Sequence, residues 1–185
     1  RRHDGQAVTC DDFVAAMADA NNTDLTQFKR WYEQAGTPQL DVNGVYDPTT
    51  RTFTLTVQQS CPATPGQPDK APFHIPLAIG LIDRRGNDLP LQLAGEAEAG
   101  ATTRVLELRE PQQQFTFINV PCPPVPSLLR DFSAPVRLEY AFSPDELAFL
   151  MAHDSDAFNR WEAANTYATR LLKDLYHAAE QGTRP

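Results

Sequence analysis

Residues 52–57 have the sequence TFTLTV, in which every second side chain is apolar. A period of two is typical of a strand that buries one face and exposes the other. Asp47-Pro48 lies just before this segment and supplies turn residues. Residues 40–45 are therefore predicted to form the preceding strand, and the middle of the chain is predicted to be β structure.

Working outward, the same pattern and the turn residues between segments predict further short strands. The predicted strands are residues 40–45, 52–57, 73–82, 89–93, 105–108, 115–118 and 136–142. We expect residues 105–108 and 115–118 to pair as a hairpin. About seven short strands separated by turns predict an antiparallel, Ig-like β-sandwich.

The prolines divide the chain into three parts. Fourteen of the 16 lie from Pro38 to Pro135, and proline is disfavoured inside helices but tolerated at strand ends and turns. The predicted fold class is therefore mainly β, a sandwich between two helical segments. The predicted parts are a helical segment at 1–38, the sandwich at 39–142 and a second helical segment at 143–185.

Helix-start signals support the helical ends. Thr9 with Asp12 predicts a capping box, and the following helix carries Phe13, Val14 and Met17 before Asn21-Asn22-Thr23 interrupts it. A second helix is predicted to align Leu25, Phe28, Trp31 and Tyr32, and to end at Gly36 and Pro38.

The C-terminal part carries the same kind of signals. Ser143, Pro144 and Glu146 predict a strong helix start, and the stretch Asp154-Ser155-Asp156 is predicted to cap a longer helix toward Gly182. That helix aligns an apolar seam of Phe158, Trp161, Ala168, Leu172 and Leu175.

The two apolar stripes need a neighbour, because helices of this length cannot bury their apolar faces alone. We predict interdomain packing for five side chains: Phe28, Trp31, Tyr32, Phe158 and Trp161. The helices are expected to pack on the sandwich, on each other or on a second copy of the chain. Alternatively, the two tryptophans could stack on a bound peptide or sugar.

Composition and motifs exclude several functions. The net charge of −8 disfavours nucleic acid as a partner, and no apolar run is long enough for a transmembrane helix. The sequence has no His-Glu-x-x-His, phosphate loop or nucleophile elbow. A metal cluster of His153, Asp154 and Asp156 is conceivable, but a histidine beside capping carboxylates explains it better. We predict no catalytic, cofactor-binding or metal-binding residue in the chain.

The ends and the cysteines give two further expectations. Arg1–Gly5 contains neither an initiator methionine nor the apolar run of a signal peptide, which favours a piece of a longer protein. Cys10, Cys61 and Cys122 are odd in number and widely spaced, so free thiols and a cytoplasmic location are expected.

Several segments resemble, in order and at matching spacing, the bacterial aminopeptidase N family of zinc gluzincins. Phe28–Pro38 resembles the end of that family's catalytic domain, and Phe158–Ala164 resembles the first helices of its C-terminal helical domain. The other matching segments are Arg2–Gly5, Thr9–Phe13, Phe73–Ile79 and Phe132–Tyr140. The last two resemble the family's β-sandwich domain.

The resemblance implies a parent enzyme that removes N-terminal residues from peptides with a zinc-activated water. The family's zinc and catalytic motifs do not occur here, so the resemblance places no site residue on this chain. It implies an interdomain spacer whose partners are the parent's remaining domains. The alternative hypothesis is an independent sandwich module that binds peptide or carbohydrate.

Overall fold

The computed structural model describes residues 3–181 of the chain and contains two β-sheets that share one hydrophobic core. One sheet has the strand order β5-β2-β1-β7 and the other β4-β3-β6. The strands are β1 (Gln39–Asp47), β2 (Thr52–Ser60), β3 (Ile75–Ile82), β4 (Arg104–Leu108), β5 (Gln112–Phe117), β6 (Val125–Leu128) and β7 (Arg137–Tyr140). The predicted mainly β fold with seven strands is confirmed.

The alternation that predicts the strands also determines which side chains are buried. In β2, Phe53, Leu55 and Val57 are buried while the threonines between them are half-buried. In β3, most residues from Ile75 to Ile82 are buried, as expected for a central strand covered on both faces. β7 is parallel to β1, whereas the other strand pairs are antiparallel.

Helices lie on both sides of the sandwich in sequence. They are α1 (Cys10–Asn21), a 3-10 turn (Gln27–Lys29), α2 (Arg30–Glu33), α3 (Pro144–His153) and α4 (Ala157–Glu180). The predicted capping boxes are present at Thr9 and at Ser143. Asp156 caps α4 by accepting a hydrogen bond from the Asn159 N–H. Arg1, Arg2 and the stretch from Gly182 onward lie outside the described residues.

The predicted strand at residues 89–93 is wrong. Pro90 removes a donor from the middle of this segment, which crosses from one sheet to the other instead of joining either. The Leu89 N–H donates to Leu81 O in β3, whereas the Ala94 N–H donates to Thr116 O in β5. Conversely, the sequence analysis did not predict β6, which completes the set of seven strands.

The predicted hairpin of residues 105–108 with 115–118 is also wrong. β4 pairs with β3 and β5 pairs with β2, so the chain changes sheet in the short connection at 109–111. The Gln59 N–H donates to Pro111 O and the Gln113 side chain accepts from the Glu110 N–H, which fixes this corner. Sandwich strands commonly switch sheets at such corners.

The helix predicted across Leu25–Tyr32 is much shorter than expected. It consists of the 3-10 turn and the four residues of α2, and its Gln27, Arg30 and Trp31 side chains donate to carbonyl groups of the sandwich. Among residues 3–181, none of the helices has the length and apolar character needed to span a membrane.

Candidate functional site: the two junctions between helices and sandwich

A buried arginine joins the sandwich to α3 and α4. Arg130 is 3% exposed, and its Nη2 donates to Asp88 Oδ1 at 2.5 Å and lies 3.5 Å from Asp154 Oδ1. Its Nε donates to Ser127 Oγ at 2.7 Å and its Nη1 to Thr103 Oγ1 at 2.8 Å. A buried guanidinium is tolerated only with such partners, because an unpaired buried charge is costly.

The partners of this arginine come from both sides of the junction. Asp88 follows β3 in the sandwich and also accepts from Ser155 Oγ at 2.5 Å, and Ser155 lies between α3 and α4. Asn159 in α4 donates through Nδ2 to Ser127 Oγ at 2.9 Å and to Leu128 O at 3.0 Å. These polar contacts fix the helices against the end of β6.

Asp154 is the least favourably placed group of this junction. It is 1% exposed, and its Oδ2 has no hydrogen-bond partner. Burial raises the pKa of Asp154 above its ordinary value, while the Ser127 hydroxyl, the Asp156 N–H and the Arg130 charge act in the opposite direction. The Ser127 hydroxyl, the Asp156 N–H and the Arg130 charge together stabilise the ionised form of Asp154.

Gly80 provides the space for the guanidinium. A Cβ atom at this position in β3 would lie 2.1 Å from Arg130 Cζ, so a larger residue would displace the arginine. The backbone around Arg130 is strained as well, since Leu129, Asp131 and Phe132 adopt φ values of 60°, 56° and 47°. This left-handed conformation costs free energy for residues other than glycine.

The N-terminal junction is built around Trp31. Its ring packs on Phe73 with centroids 4.8 Å apart, and its Nε1 donates to His74 O at 2.9 Å. Gln27 Nε2 donates to Pro72 O at 3.1 Å, and Arg30 Nη1 donates to the same carbonyl. The carbonyl groups of Pro72 and His74, just before β3, therefore accept hydrogen bonds from the N-terminal helical segment.

The loop between β2 and β3 holds the end of α2. Lys70 Nζ donates to Ala35 O and to Gln67 Oε1, each at 2.7 Å. Gln34 forms two hydrogen bonds with the backbone of Ala71, one at 2.9 Å and one at 2.7 Å. This loop therefore fixes the end of α2 to the sandwich.

A histidine lies beneath the same junction. His74 is buried, its Nε2 lies 3.5 Å from Glu107 Oε2, and its Nδ1 has no partner. Arg109 donates to the same carboxylate at 3.0 Å. Burial lowers the pKa of His74 below its ordinary value, and the Arg109 charge lowers it further, against the opposing effect of Glu107.

We expect stability to fall when the solution is acidified below the pKa of an unfolded histidine, about 6.5. Between that value and the lowered pKa of folded His74, the unfolded chain binds a proton that the folded chain does not, so the free energy of unfolding decreases as pH decreases. Urea unfolding from pH 8 to pH 5 measures this slope. His74→Gln should reduce it, whereas His177→Gln, at an exposed position on α4, should not. An equal slope in His74→Gln would contradict the assignment.

The five residues predicted for interdomain packing fall at the two junctions. Trp31 is half-buried on the sandwich, while Phe28 and Tyr32 contact each other edge-on at 6.2 Å and Tyr32 is exposed. Phe158 packs on Trp161 at 5.9 Å. Trp161 remains 59% exposed, so the structure leaves room for a partner on this helix.

The apolar seam of α4 faces mostly away from the rest of the chain. Leu172 and Leu175 are exposed, and the buried side chains of α4 are Asn159 and Ala163. The helix therefore uses its other face, with Ala163 against α3, to bind the body of the protein.

The conceivable metal cluster is not assembled. His153 packs against Phe149 at 4.8 Å, Asp154 pairs with Arg130 and Asp156 caps α4. Within residues 3–181, no three or more His, Cys, Asp or Glu side chains are grouped so as to hold a metal ion.

The Arg130 junction was missed by the sequence analysis. Asp88 had no assigned role, and Asp154 was considered only as part of a capping stretch and of a conceivable metal cluster. One signal was available, since Gly80 interrupts an otherwise apolar strand, and a glycine inside a strand often marks a close approach by another group.

Residues 36–141 match the family model DUF3458, described as a domain of unknown function with an Ig-like fold. The chain belongs to this family. Residues 144–185 match a companion model, DUF3458_C, described as ARM repeats.

Among curated proteins, the chain is 49% identical over 181 residues to Aminopeptidase N of Escherichia coli K12, which covers 98% of this chain and 20% of that protein. It is 43% identical to Aminopeptidase N of Haemophilus influenzae, covering 97% of this chain and 20% of that protein. The chain thus spans about one fifth of the length of these relatives. The resemblance to bacterial aminopeptidase N is confirmed.

A solved structure gives the same result for the fold. A crystal structure of Legionella pneumophila aminopeptidase A in complex with aspartic acid matches with a TM-score of 0.77 at 31% identity. The match covers 93% of this chain and 18% of that chain.

Proposed function

We propose that this chain is a non-catalytic part of a zinc-dependent aminopeptidase that releases N-terminal amino acids from peptides. Its relatives named Aminopeptidase N support this origin. The chain itself acts as a structural spacer, which holds the catalytic domain and the C-terminal helical domain in a fixed relative position. Zinc and the peptide substrate belong to the longer protein.

The observation that carries the spacer role is the rigid attachment of helices at both junctions. At the C-terminal junction, Arg130 is buried between Asp88 and Asp154. At the N-terminal junction, Trp31 and Lys70 are bonded to carbonyl groups across the boundary. A flexible linker would need none of these buried polar contacts, since ordering them costs conformational entropy.

The partners of the spacer are the other domains of the longer protein. The exposed side chains of α4, including Trp161, Leu172 and Tyr176, provide an apolar surface that another helix can cover. Repeat helices stack on their neighbours in this way, and the ARM-repeat description of residues 144–185 supports the assignment. Self-association through the same surface would be expected where no such partner is present.

The test measures zinc content and cleavage of an alanyl chromogenic substrate for this chain and for a longer protein that contains it. We expect no zinc and no cleavage from the chain, and one zinc with activity from the longer protein. In the longer protein, Trp31→Ala should lower kcat/KM while zinc content stays unchanged, because domain position is lost but the metal site is not.

A control is Val105→Ala, since Val105 is exposed on β4 of the sandwich, and we expect little effect on kcat/KM. Stoichiometric zinc or activity in the chain alone would overturn the spacer proposal. So would unchanged activity after Trp31→Ala in a variant shown by hydrogen exchange to have a loosened junction.

We further propose a cytoplasmic location, which is supported by three free cysteines, Cys10, Cys61 and Cys122. The alternative function, a module that binds peptide or carbohydrate, is favoured by one observation, the exposed indole of Trp161. A spacer buries such a side chain against another domain, whereas a binding module leaves it accessible in the complete protein.

A further inference from the structure

An open groove of about 800 Å³ lies between β7 and α4. One wall is the edge strand β7, which pairs with β1 on its other side only. The opposite wall is one face of α4, from Phe158 through Glu162 to Arg170, and apolar side chains of α3 line the groove as well. A groove of this size accommodates a side chain and a few residues of backbone.

The charged groups of the groove favour a cation. Four carboxylates line it, Asp41, Glu139, Asp154 and Glu162, against two guanidinium groups, those of Arg137 and Arg170. Arg170 already donates to Phe142 O at 2.6 Å across one end. Asp154 is buried and already paired with Arg130, so the carboxylates open to a ligand are those of Asp41, Glu139 and Glu162. The described lining is therefore acidic, and its carboxylates outnumber its available cations.

Aromatic rings line the same groove. Phe132 and Phe158 lie 5.4 Å apart at one end of the groove, and they are 52% and 37% exposed. Glu162 lies four residues after Phe158, on the same face of α4. A guanidinium group binds well where an aromatic face and a carboxylate meet, because it stacks on the ring and pairs with the two oxygens.

The backbone supports a binding role for Phe132. Its φ of 47° is a left-handed value, which costs free energy for a residue with a bulky side chain. The structure nevertheless holds this ring at the surface, where its own burial gains little. Residues with strained backbone often cluster at ligand-binding sites.

We propose that the groove between β7 and α4 binds an arginine side chain presented by a polypeptide segment. The guanidinium stacks on Phe132 and Phe158 and pairs with Glu162. The site uses the junction of the sandwich with the helices, not the sandwich loops, and it does not depend on the spacer role or on aminopeptidase activity.

The test follows the indole N–H signals of the two tryptophans by NMR during titration with acetyl-Gly-Arg-Gly-amide. Trp161 contacts Phe158 and reports on the groove, whereas Trp31 lies at the other junction and is an internal control. We expect a saturable shift of the Trp161 signal only. The citrulline peptide, which has nearly the same shape and no charge, should bind about tenfold more weakly.

Variants identify the groups that bind. Glu162→Gln should weaken the arginine peptide about tenfold, whereas Asp174→Asn, at an exposed position of the same helix outside the groove, should not. Phe132→Gly and Phe132→Ala should both abolish the shift, but the glycine variant should be the more stable, since glycine relieves the left-handed strain.

Three results would overturn the proposal: no saturable shift, equal binding of the citrulline peptide, or an unaltered affinity in Glu162→Gln. A Trp161 signal that shifts with protein concentration, and not with peptide, would assign the groove to a second copy of the chain and would also overturn it. None of these results affects the spacer role, which is tested by activity of the longer protein.

Discussion

Replacement of Arg130 with methionine is expected to lower the free energy of unfolding by about 3–5 kcal/mol, the usual cost of breaking a buried ion pair. Methionine fills much of the same volume but leaves Asp154, which is 1% exposed, without its charge partner. Burial already raises the pKa of Asp154, and removal of the guanidinium will raise it further. Urea unfolding at pH 7 measures the loss.

The control is Arg137→Met, since Arg137 lies exposed on β7, and a change of less than about 0.5 kcal/mol is expected there. A second variant tests whether the unpaired charge of Asp154 causes the loss of stability. Asp154→Leu added to Arg130→Met should recover part of the stability, because an apolar pair carries no uncompensated charge. A loss below about 1 kcal/mol in Arg130→Met would show that the junction is not held by this ion pair.

Arg130→Met also tests which part of the structure loosens when the junction is broken. Hydrogen exchange should increase in α3 and α4 more than in β1 and β2, because the Arg130 contacts join these helices to the sandwich, whereas β1 and β2 are buried in the core that the two sheets share. A uniform increase across the chain would instead indicate that the junction and the sandwich unfold as one cooperative unit.

Among the strands that the sequence predicts correctly, β1 and β2 have one buried and one solvated face. In β2 and β1, the alternation of apolar and polar residues corresponds directly to burial in the sheet. The capping boxes at Thr9 and Ser143 were equally predictable, because the partners lie three residues apart and the chemistry is local.

The errors occur where tertiary contacts outweigh the local pattern. β6 contains Pro126 and follows a proline-rich stretch, so it resembles a loop, yet it is an edge strand on which proline is tolerated. Residues 89–93 have the alternation of a strand but cross between the sheets. The pairing of β4 and β5 with different sheets depends on the corner at 109–111, which the hydrophobic periodicity of the sequence does not show.

The junction residues show a further limit of sequence reasoning. Arg130, Asp88 and Asp154 are far apart in sequence, and each has an ordinary surface role if considered alone. Only the packing of α3 against the end of the sandwich brings their charges together. The aromatic residues at the two ends were predicted as contact residues, but the sequence could not show that Trp31 is bonded to the sandwich while Trp161 is left exposed.

Replacement of Gly80 with alanine is the second change for which we expect a large effect, about 2–3 kcal/mol of lost stability. The new methyl group would lie 2.1 Å from Arg130 Cζ, and β3 is a central strand that cannot move away. Gly100→Ala is the matched control, since its Cβ would make only an ordinary contact, 3.6 Å from Leu91 O. Urea unfolding of both variants measures the difference.

A double-mutant cycle makes the prediction specific. If Gly80 is required because of the guanidinium, Gly80→Ala should cost much less in the Arg130→Met background, where a flexible side chain replaces the fixed planar group. The two effects should therefore be less than additive by about 1–2 kcal/mol. Strict additivity would mean that the methyl group clashes with other atoms around β3, and that Gly80 is required by the sheet packing and not by the arginine that joins the helices to the sheet.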